Sequence, residues 1–560
     1  MNKNFNKGWF FMLKTKHIFI CGAGISGLGK GIVSASIGRI LTSYDYNVTI
    51  QKMDPYFNSS ASSLNPVHHG EVYVLPGGRE GDIDLGTYWR FIEKGLVSEN
   101  SITSGIIYAN VLKNEREGKY LGDTIQIIPH ITNEIKRYIH FFDDQYDIVI
   151  HEIGGNIKDI EAAPYIETIR QIQYELNSED CLIILLVYLP FLKTTQEVKT
   201  KIAQQGVEQC RSLGINPDIL IARSEQDFND SVKNKMSLFT NIKPQYIIKN
   251  LDAESIYQIP KMLADEGIIN ALKDKLRINI SLVKESGNYP FNQYNHAFNE
   301  WNELVLNNHT NEVINIGLVG KYTALHDAYI SVIESLRFAG WKNKVKVNID
   351  WIDSEKVEDG SINLTNRKLK GILIPGGFGN RGIEGMIIAA QFARENNIPY
   401  LGICLGAQIA WIEFARNVLS LKDANSEEFN NKSSNLVIHY MDNQRNLQEM
   451  AGTLRLGAFD CNLARNSISY EYYKEDQIQL IHRHRYEFNN QYRKLFEDNG
   501  VRFAGLSPDG QLVEITELVN HPFFVASQAH NEYGSYPGNP DPLFNAFIYM
   551  SKNINRTINM

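Results

Sequence analysis

The chain has 560 residues, a formal net charge of -8, 43% apolar residues and 21% charged residues. This length exceeds one compact core, and the composition is that of an ordinary globular protein with two or three domains. The acidic balance argues against bulk nucleic-acid binding, which needs a basic surface. The five cysteines are scattered without a CxxC pair, which argues against a disulfide framework or a Cys-rich zinc site and suits a reducing cytoplasm.

Neither end of the chain nor its most apolar run predicts a membrane segment. The longest apolar run, residues 181–191, has about half of the ~20 residues that a bilayer span requires, and it predicts a buried parallel strand. Residues 1–14 carry lysines and a short apolar patch but no cleavage-site pattern. We interpret them as an N-terminal extension.

Short β-rich runs alternate with helix-length stretches in the first half, which predicts a parallel α/β sheet. These runs are HIFIC, NVTIQKM, YDIVIHEI, CLIILLVYL and DILIA. A polar, Asn-rich segment at 282–312 predicts a linker. A second series follows, namely INIGLVG, KVNIDWI, GILIPGG, IPYLGIC, LVIHY and FFVASQ. The sequence therefore predicts two different α/β domains, at 15–281 and 313–553.

A glycine-rich segment, residues 22–31 (GAGISGLGKG), directly follows the first predicted strand. It matches both the GxGxxG dinucleotide-binding fingerprint, starting at Gly22, and the GxxxxGK P-loop pattern, starting at Gly24. Lys30 favours a nucleoside triphosphate, because a dinucleotide site does not use such a lysine. The acidic residue that a dinucleotide site needs some twenty residues later is also missing. A flavin or nicotinamide oxidoreductase is therefore the less favoured alternative.

Gly31 occupies the position where a standard P-loop has a Ser or Thr hydroxyl on magnesium. A metal ion must therefore find other oxygen atoms. Asp82 and Glu152 stand at predicted strand or loop ends, and Mg²⁺ is commonly held by one or two carboxylates plus substrate phosphates. On spacing alone, solvated loop acids remain an equal alternative.

The second half contains a GxCxG motif centred on Cys404, between a predicted strand and a predicted helix. Such a nucleophile elbow exposes the side chain, and a helix amino terminus stabilises a thiolate. Downstream, His530 can carry a proton to a leaving group and Glu532 can orient the histidine. Taken singly, a buried core cysteine and a surface His-x-Glu pair are the plainer interpretations. Their combination with an IPGGFG turn favours a catalytic triad.

Several long motifs resemble those of CTP synthases, collinearly from Thr15 to Phe547. They include GAGISGLGKGIVSASIGRIL, VTIQKMDPY, HHGEVYV, DIDLGTYWRF, IQIIPHITNEI and HEIGGNIKDIEAAPYIETIRQ. The resemblance implies an α/β fold, with a P-loop-type parallel-sheet synthetase domain and a second α/β domain of the class I glutamine amidotransferase type. It implies ATP-dependent amination of UTP to CTP with ammonia from glutamine.

The resemblance also implies cofactors and partners. ATP would be a co-substrate, Mg²⁺ the metal and GTP a candidate allosteric activator. The protein would be a cytoplasmic homotetramer without nucleic-acid or membrane partners, and filament formation stays open. The alternative from another class is a catalytically impaired, nucleotide-binding assembly protein of the same family.

The same resemblance assigns roles residue by residue. The catalytic groups would be Cys404, His530, Glu532, Lys30 and Lys52, and the metal ligands Asp82 and Glu152. ATP would contact Gly27, Leu28, Gly29, Lys30, Gly31, Ile32 and Asp82. UTP or the inhibitory product CTP would contact Ser26, Asp159, Ile160, Glu161, Lys199, Lys201, Gln204 and Lys235. Glutamine would contact Gly377, Leu405, Gln408, Glu428 and Arg485, the first two as oxyanion donors.

Some motifs depart from the family pattern. Changes at 59–66, at Lys158 and at 202–206 lie near the implied UTP and CTP site, so they bear on nucleotide affinity and feedback more than on chemistry. QAHNE replaces the usual QFHPE around His530. Because proline restricts the chain and a large aromatic packs it, we expect a working glutaminase with a looser histidine loop.

Overall fold

The computed structural model describes residues 15–59, 70–280, 294–306, 310–441 and 454–557. The chain divides into two compact units, of which the first comprises Met1–Ser59 and Thr87–Leu306 and the second comprises Ser60–Gly86 and Asn307–Met560. Residues 70–86 thus group with the second unit. The boundaries 15–281, 282–312 and 313–553 stay a prediction, and the predicted extension 1–14 lies outside the described residues.

The first unit is built on a parallel sheet, which has seven strands among the described residues. In order across the sheet they are Ile247–Leu251, Ile219–Ser224, Cys181–Tyr188, Lys16–Ala23, Ile148–Ile153, Val48–Asp54 and Ser101–Thr103. The central strands are buried along nearly their whole length, which explains their continuous apolar sequence. Because the strands are parallel, their carboxyl ends meet at one edge.

Helices connect these strands. Those of the first unit are Lys30–Ser43, Ser104–Arg116, Thr132–Ile139, Ala163–Glu175, Lys201–Ser212, Asp230–Thr240, Ile259–Asp265, Ile268–Leu276 and His296–Leu306, and Ile83–Ile92 runs across the division between the units. The last helix of the first unit lies inside the predicted linker, where its Phe298 and Trp301 are buried. Among the described residues, no helix combines the length and apolar character that a membrane span requires.

The second unit contains a mixed sheet, with nine strands in the part of the chain that the structure describes. Five adjacent strands are parallel, and the remaining strands pair antiparallel. In order they are Lys346–Asp353, Val313–Gly320, Gly371–Ile374, Tyr400–Ile403, Phe524–Ser527, Val513–Leu518, Val501–Leu506, Arg455–Leu463 and Gln477–His484. The predicted strand LVIHY instead joins a small separate sheet, formed by Asn425–Ser426, Leu436–Tyr440 and Tyr486–Phe488.

Both faces of this second sheet are buried. Ile372 and Ile374 belong to one apolar cluster, whereas Leu373 between them belongs to another. Alternate residues of a strand point to opposite faces, so the two clusters are the two sides of the sheet. The helices of this unit are Ile330–Lys342, Ser354–Glu358, Ile383–Glu395, Leu405–Asn417, Ile468–Tyr473, Arg493–Asp498 and Pro542–Thr557.

Candidate active sites

The glycine-rich loop of the first unit leaves the carboxyl end of Lys16–Ala23 and enters the helix Lys30–Ser43. Gly24, Gly27 and Gly29 have φ angles of 102°, 71° and 83°, a region that favours glycine. The loop therefore turns sharply and presents the first backbone N–H groups of the helix, which is an arrangement suited to phosphate. Ser26 and Gly27 are exposed, whereas Leu28 is buried.

Two positively charged side chains, those of Lys30 and Arg223, form hydrogen bonds in and around this loop. The Nζ atom of Lys30 donates to the carbonyl oxygen of Gly155 at 2.6 Å, beside the next strand of the sheet. Arg223 donates to the carbonyl oxygen of Gly27 at 2.8 Å and pairs with Asp252 at 3.2 Å. Arg223 was not predicted. Its position near the carboxyl end of the strand Ile219–Ser224 could have indicated that it lies near the glycine loop, which follows the carboxyl end of another strand of the same sheet.

Lys52 and Glu152 form a buried ion pair on adjacent parallel strands. Their Nζ and Oε1 atoms are 3.1 Å apart, and both residues are less than 5% exposed. The Tyr88 hydroxyl donates to Oε2 of Glu152, and Asp54 Oδ1 lies 3.8 Å from Lys52 Nζ. Two carboxylates at one strand edge supply the oxygen donors that suit Mg²⁺, so these residues fit such an ion.

The residues predicted for the pyrimidine end surround a cavity of ≈ 390 Å³ at the same edge of the first unit. Its walls include Asp54, Phe57 and Gly155, together with the predicted Asp159 and Glu161. Asp159 accepts a 2.6 Å hydrogen bond from the Asn156 backbone N–H and so closes the loop that follows Gly155. Ile160 is 87% exposed.

The remaining predicted UTP residues lie on or before two helices. Lys201 begins the helix Lys201–Ser212, and Gln204 donates to Thr200 Oγ1 at 3.0 Å. Lys199 pairs with the exposed Glu197, whose pKa is lowered by this hydrogen bond and, more weakly, by the charge of Lys235. The helix packs on the strand that leads into the glycine loop, because a Cβ at Gly206 would meet Ala23 Cβ at 2.9 Å. The altered residue Gly206 therefore permits this close approach.

Asp82 stands immediately before the helix Ile83–Ile92 and belongs to the second compact unit. Its Oδ1 accepts a 3.0 Å hydrogen bond from the Asp84 backbone N–H. The structure therefore places this predicted metal ligand at a helix start. Its role stays a prediction.

In the second unit, Cys404 sits in the predicted sharp turn between Tyr400–Ile403 and the helix Leu405–Asn417. Its φ of 51° and ψ of -101° are unfavourable for a residue with a side chain, so the surrounding packing must hold them. Its Sγ lies 3.7 Å from Gln528 Nε2, and the residue is 3% exposed. This is the geometry of a nucleophile elbow.

His530 connects Cys404 with Glu532. Its Nδ1 is 2.7 Å from Glu532 Oε1, and both residues are buried. Burial alone would lower the pKa of His530, but the charges of Glu532 and Cys404 and hydrogen bonds to both raise it to about 10. The Glu532 carboxylate therefore favours a protonated imidazole beside Cys404.

A small cavity of ≈ 90 Å³ joins the triad to the predicted oxyanion turn. Cys404, His530 and Glu532 line it, and so do Gly376 and Gly377. A Cβ at Gly376 would lie 2.8 Å from the His530 ring, so only glycine lets the turn approach the triad. Leu405, the other predicted oxyanion donor, is the first residue of the helix after Cys404.

A lysine that the sequence analysis missed secures the same turn. Lys321 Nζ donates to the carbonyl oxygens of Phe378, at 2.9 Å, and of Gly379. Glu428 Oε1 accepts a 2.7 Å hydrogen bond from the Gly379 backbone N–H. Burial raises the pKa of Glu428, and this hydrogen bond and the charges of Lys321 and Arg485 oppose the rise. The charge of Arg485 thus acts on Glu428, and the glutamine-binding roles of both residues stay a prediction.

The residues around the triad are closely packed. Gln408 Nε2 donates to Gln528 Oε1 at 3.3 Å, behind Cys404. In the altered segment, Ala529 is fully buried in the apolar cluster, and Asn531 Nδ2 donates to the Tyr473 hydroxyl at 2.9 Å. These contacts argue against a looser histidine loop, and substitution at both positions would test that expectation.

Residues 16–278 match the family described as CTP synthase N-terminus, and residues 324–550 match the one described as glutamine amidotransferase class-I. Over 539 residues the chain is 45% identical to the CTP synthase of Clostridium acetobutylicum, which covers 96% of this chain and 98% of that protein. It is also 45% identical over 537 residues to the CTP synthase of Bacillus subtilis, with 95% and 98% covered. The chain belongs to the CTP synthase family.

Membership of the CTP synthase family confirms the predicted fold class, a parallel-sheet synthetase part followed by a class I glutamine amidotransferase part. The 70–86 segment adds a feature that the sequence did not predict. Its Glu80 pairs with Arg483 at 2.8 Å, and the Tyr533 hydroxyl donates to the Val72 carbonyl oxygen at 3.0 Å. Glu71 and Val72, which belong to this segment, line the triad cavity.

Proposed function

We propose that the chain makes CTP from UTP, ATP and glutamine. The observation that carries the proposal is the buried Cys404, His530 and Glu532 triad on a strained elbow, in a chain that also holds a P-loop lysine. One unit supplies a site that generates ammonia, and the other supplies a site for phosphoryl transfer. The cytoplasm, a homotetramer and GTP activation belong to the same proposal, supported by family membership.

The first chemical step activates the pyrimidine. O4 of UTP is a poor leaving group and must first be phosphorylated. It attacks the γ-phosphorus of ATP, the N3 proton is lost to solvent and ADP departs. Lys30, at the start of the helix after the glycine loop, and Lys52, near the carboxyl end of the strand Val48–Asp54, neutralise charge on the migrating phosphoryl group. The backbone N–H groups from Gly27 to Ile32 hold the other phosphates of ATP.

The carboxylates beside this step fit a Mg²⁺ ion, and Glu152 would hold it. The role of Asp82 as a metal ligand stays a prediction. When bound, Mg²⁺ supplies charge neutralisation at the phosphate oxygens. Tyr88 and Lys52 orient the Glu152 carboxylate, since both contact it.

The remaining predicted contacts select the pyrimidine nucleotide. Lys199, Lys201 and Lys235 provide positive charge for the UTP phosphates near the start of the helix Lys201–Ser212. Asp159 and Glu161 line the adjoining ≈ 390 Å³ cavity and can accept hydrogen bonds from a base or ribose. Ser26, Ile160 and Gln204 belong to the same proposed contact set.

The second unit produces the nitrogen nucleophile. The Cys404 thiolate attacks the glutamine carboxamide carbon, and backbone N–H groups of Gly377 and Leu405 stabilise the oxyanion. His530 gives its proton to the departing ammonia, and water then releases glutamate. Glu428 and Arg485 bind the α-amino and α-carboxylate groups, and Gln408 supports the pocket from behind.

Ammonia then attacks C4 of the phosphorylated pyrimidine. Phosphate leaves with O4, and loss of a proton gives the 4-amino group of CTP. The nucleophile must be neutral NH₃, which is scarce near pH 7. Internal release from glutamine overcomes this scarcity.

The test is CTP formation from UTP and ATP by the purified full-length chain, measured once with glutamine and once with ammonium chloride. We expect turnover with both nitrogen sources and glutamate release only with glutamine. Nucleotide binding without turnover from either source would favour the impaired assembly protein instead.

A further inference from the structure

A cluster of three side chains that the proposed reaction does not use lies in the first unit. His17, His140 and Asp143 offer ligand atoms that all lie within 4.8 Å of one another. We call these residues the His17 cluster. His17 is the second residue of the strand Lys16–Ala23, at its amino end, whereas the glycine loop follows the carboxyl end. The cluster is therefore at the sheet edge opposite the nucleotide site.

Hydrogen bonds behind the cluster determine which nitrogen atoms carry protons. Gln51 Nε2 donates to the carbonyl oxygens of Glu99 and Tyr138, at 2.9 and 3.0 Å. This fixes the amide so that Gln51 Oε1, an acceptor, faces His151 Nδ1 at 2.9 Å. His151 must therefore carry its proton on Nδ1.

The next bond in the chain follows from the first. His151 is fully buried, where a neutral imidazole is less costly than a charged one. Its Nε2 is then an acceptor, and it lies 3.0 Å from His17 Nδ1. His17 must donate from Nδ1, which leaves its Nε2 to face the cluster.

That Nε2 atom faces a carboxylate. It lies 3.4 Å from Asp143 Oδ1, which is buried and accepts no hydrogen bond within the described residues. The other carboxylate oxygen, Oδ2, lies 2.8 Å from His140 Nδ1. A cation between two acceptor atoms that face each other at this distance would stabilise both, and a metal ion can occupy that position.

We propose that His17, His140 and Asp143 bind one divalent transition-metal ion, with zinc as the ion that best fits their donor set. Two imidazoles and a carboxylate are typical zinc ligands, with bonds of about 2.0–2.2 Å. In a tetrahedral shell such bonds separate neighbouring ligand atoms by about 3.4 Å, which matches the His17 to Asp143 distance. His140 and Asp143 are 36% and 35% exposed, so water can reach the fourth position.

His151 and Gln51 then act as positioning residues. A metal-ligating histidine usually donates its other N–H to a fixed acceptor, which orients the ring. The ion would join the start of the central strand to the turn that precedes Ile148–Ile153. Because only the folded chain assembles the three ligands, binding would stabilise the fold by mass action.

The experiment measures Zn²⁺ binding to the metal-stripped full-length chain by equilibrium dialysis. A Cys404→Ala background removes the reactive thiol, and millimolar Mg²⁺ occupies the nucleotide-site carboxylates. We expect one zinc ion per chain, and at least tenfold weaker binding in His17→Gln and in Asp143→Asn. Co²⁺ absorption provides a second readout, since a tetrahedral site gives visible bands that both variants lose.

The matched control is His296→Gln. His296 also pairs with a carboxylate, Glu300, at 3.3 Å, but it is 75% exposed and belongs to no such cluster. If His17→Gln does not fold, His140→Asn tests the same ion at a partly exposed ligand, with ammonia-dependent CTP formation as the folding check. Equal zinc binding in wild type and all cluster variants would overturn the proposal. Absence of zinc binding in wild type would also overturn it.

Discussion

His530 Nδ1 and Glu532 Oε1 lie 2.7 Å apart, and this contact determines which nitrogen of the imidazole remains for Cys404. Glu532 accepts the proton of Nδ1, so Nε2 is the atom that can exchange a proton with the thiol and with ammonia. The carboxylate also helps to raise the pKa of His530 to about 10 against the effect of burial. The orientation and the charge of the histidine thus depend on one residue.

The first prediction concerns Glu532→Gln. We expect glutamine-dependent kcat to fall by about 10³ because the imidazole loses its orientation and its charge partner. The pKa of His530 should fall, so the alkaline limb of the pH profile should move to lower pH. Glutamate release between pH 6 and 10 measures both effects, and Glu497→Gln, at an exposed acid, is the control. An unchanged alkaline limb would contradict the assignment.

The raised pKa of His530 should also make the folding stability depend on pH. A raised histidine pKa stabilises the folded state fully below the ordinary value of about 6.5 and loses this contribution as pH rises through about 10.

The second prediction separates the two chemistries. Cys404→Ala should abolish glutamine-dependent CTP formation and leave ammonia-dependent formation within about twofold of wild type, since only one unit needs the thiolate. Cys461→Ala is a matched control, because Cys461 is a buried cysteine of the same sheet. It should keep both activities. Equal loss from both nitrogen sources in Cys404→Ala would make this cysteine a structural residue.

The third prediction concerns Lys30→Ala. Its Nζ stands at the junction of the glycine loop and Gly155, so its loss should remove phosphoryl transfer whichever nitrogen source follows. CTP formation with glutamine and with ammonia should fall by more than about 10³. Lys113→Ala, at a side chain 73% exposed, should behave as wild type. Ammonia-dependent turnover within tenfold of wild type would refute this role.

The two functional turns could be predicted from the sequence because local motifs specify them. The strands before the glycine loop and before Cys404 are continuous apolar runs that end in short glycine patterns, and both signals lie within about ten residues. The structure has each of these turns where it was expected. The predicted residues Asp159, Glu161, Glu428 and Arg485 came from the family resemblance, and their contacts could not be read from spacing.

Contacts between segments that are far apart in the chain could not be predicted from the sequence. Lys321 follows a strand with no motif, and only the fold brings it to Gly379. Tyr88 lies inside a helix whose pattern does not point to Glu152. The His17 cluster has no metal-site spacing, because His17 lies far along the chain from His140 and Asp143 and only the fold brings them together.

The fourth prediction concerns Lys321. Burial lowers its pKa to about 8, with the Glu428 charge opposing and the Arg381 charge adding to this effect. Since the charged form exists below this pKa, the KM for glutamine should rise above about pH 8 in wild type. Lys321→Met should raise the KM about tenfold at pH 7, remove that pH dependence and spare ammonia-dependent synthesis. The exposed Lys346→Met is the control. A KM that does not change in Lys321→Met would contradict the role.

The altered segment around His530 allows a last test. Ala529 is fully buried within an apolar cluster, so the side chain of a phenylalanine has no free space there. Asn531 begins the short helix Asn531–Gly534 and donates to the Tyr473 hydroxyl, which in turn donates to Asp541 at 2.7 Å. The segment is therefore fitted to alanine and asparagine.

Introducing the family residues together, as Ala529→Phe with Asn531→Pro, should consequently harm this chain. Overpacking a close-packed core costs about 1–3 kcal/mol, and leaving the buried Tyr473 hydroxyl without its donor costs a further ~1–3 kcal/mol. We expect a lower midpoint of thermal unfolding and at least tenfold slower glutamate release, with His530 displaced from Cys404. Asn462→Ala, which removes an exposed asparagine contact to Gln477, is the control. Glutamate release that holds or rises in the double variant would show that the histidine loop is held less firmly than these contacts indicate.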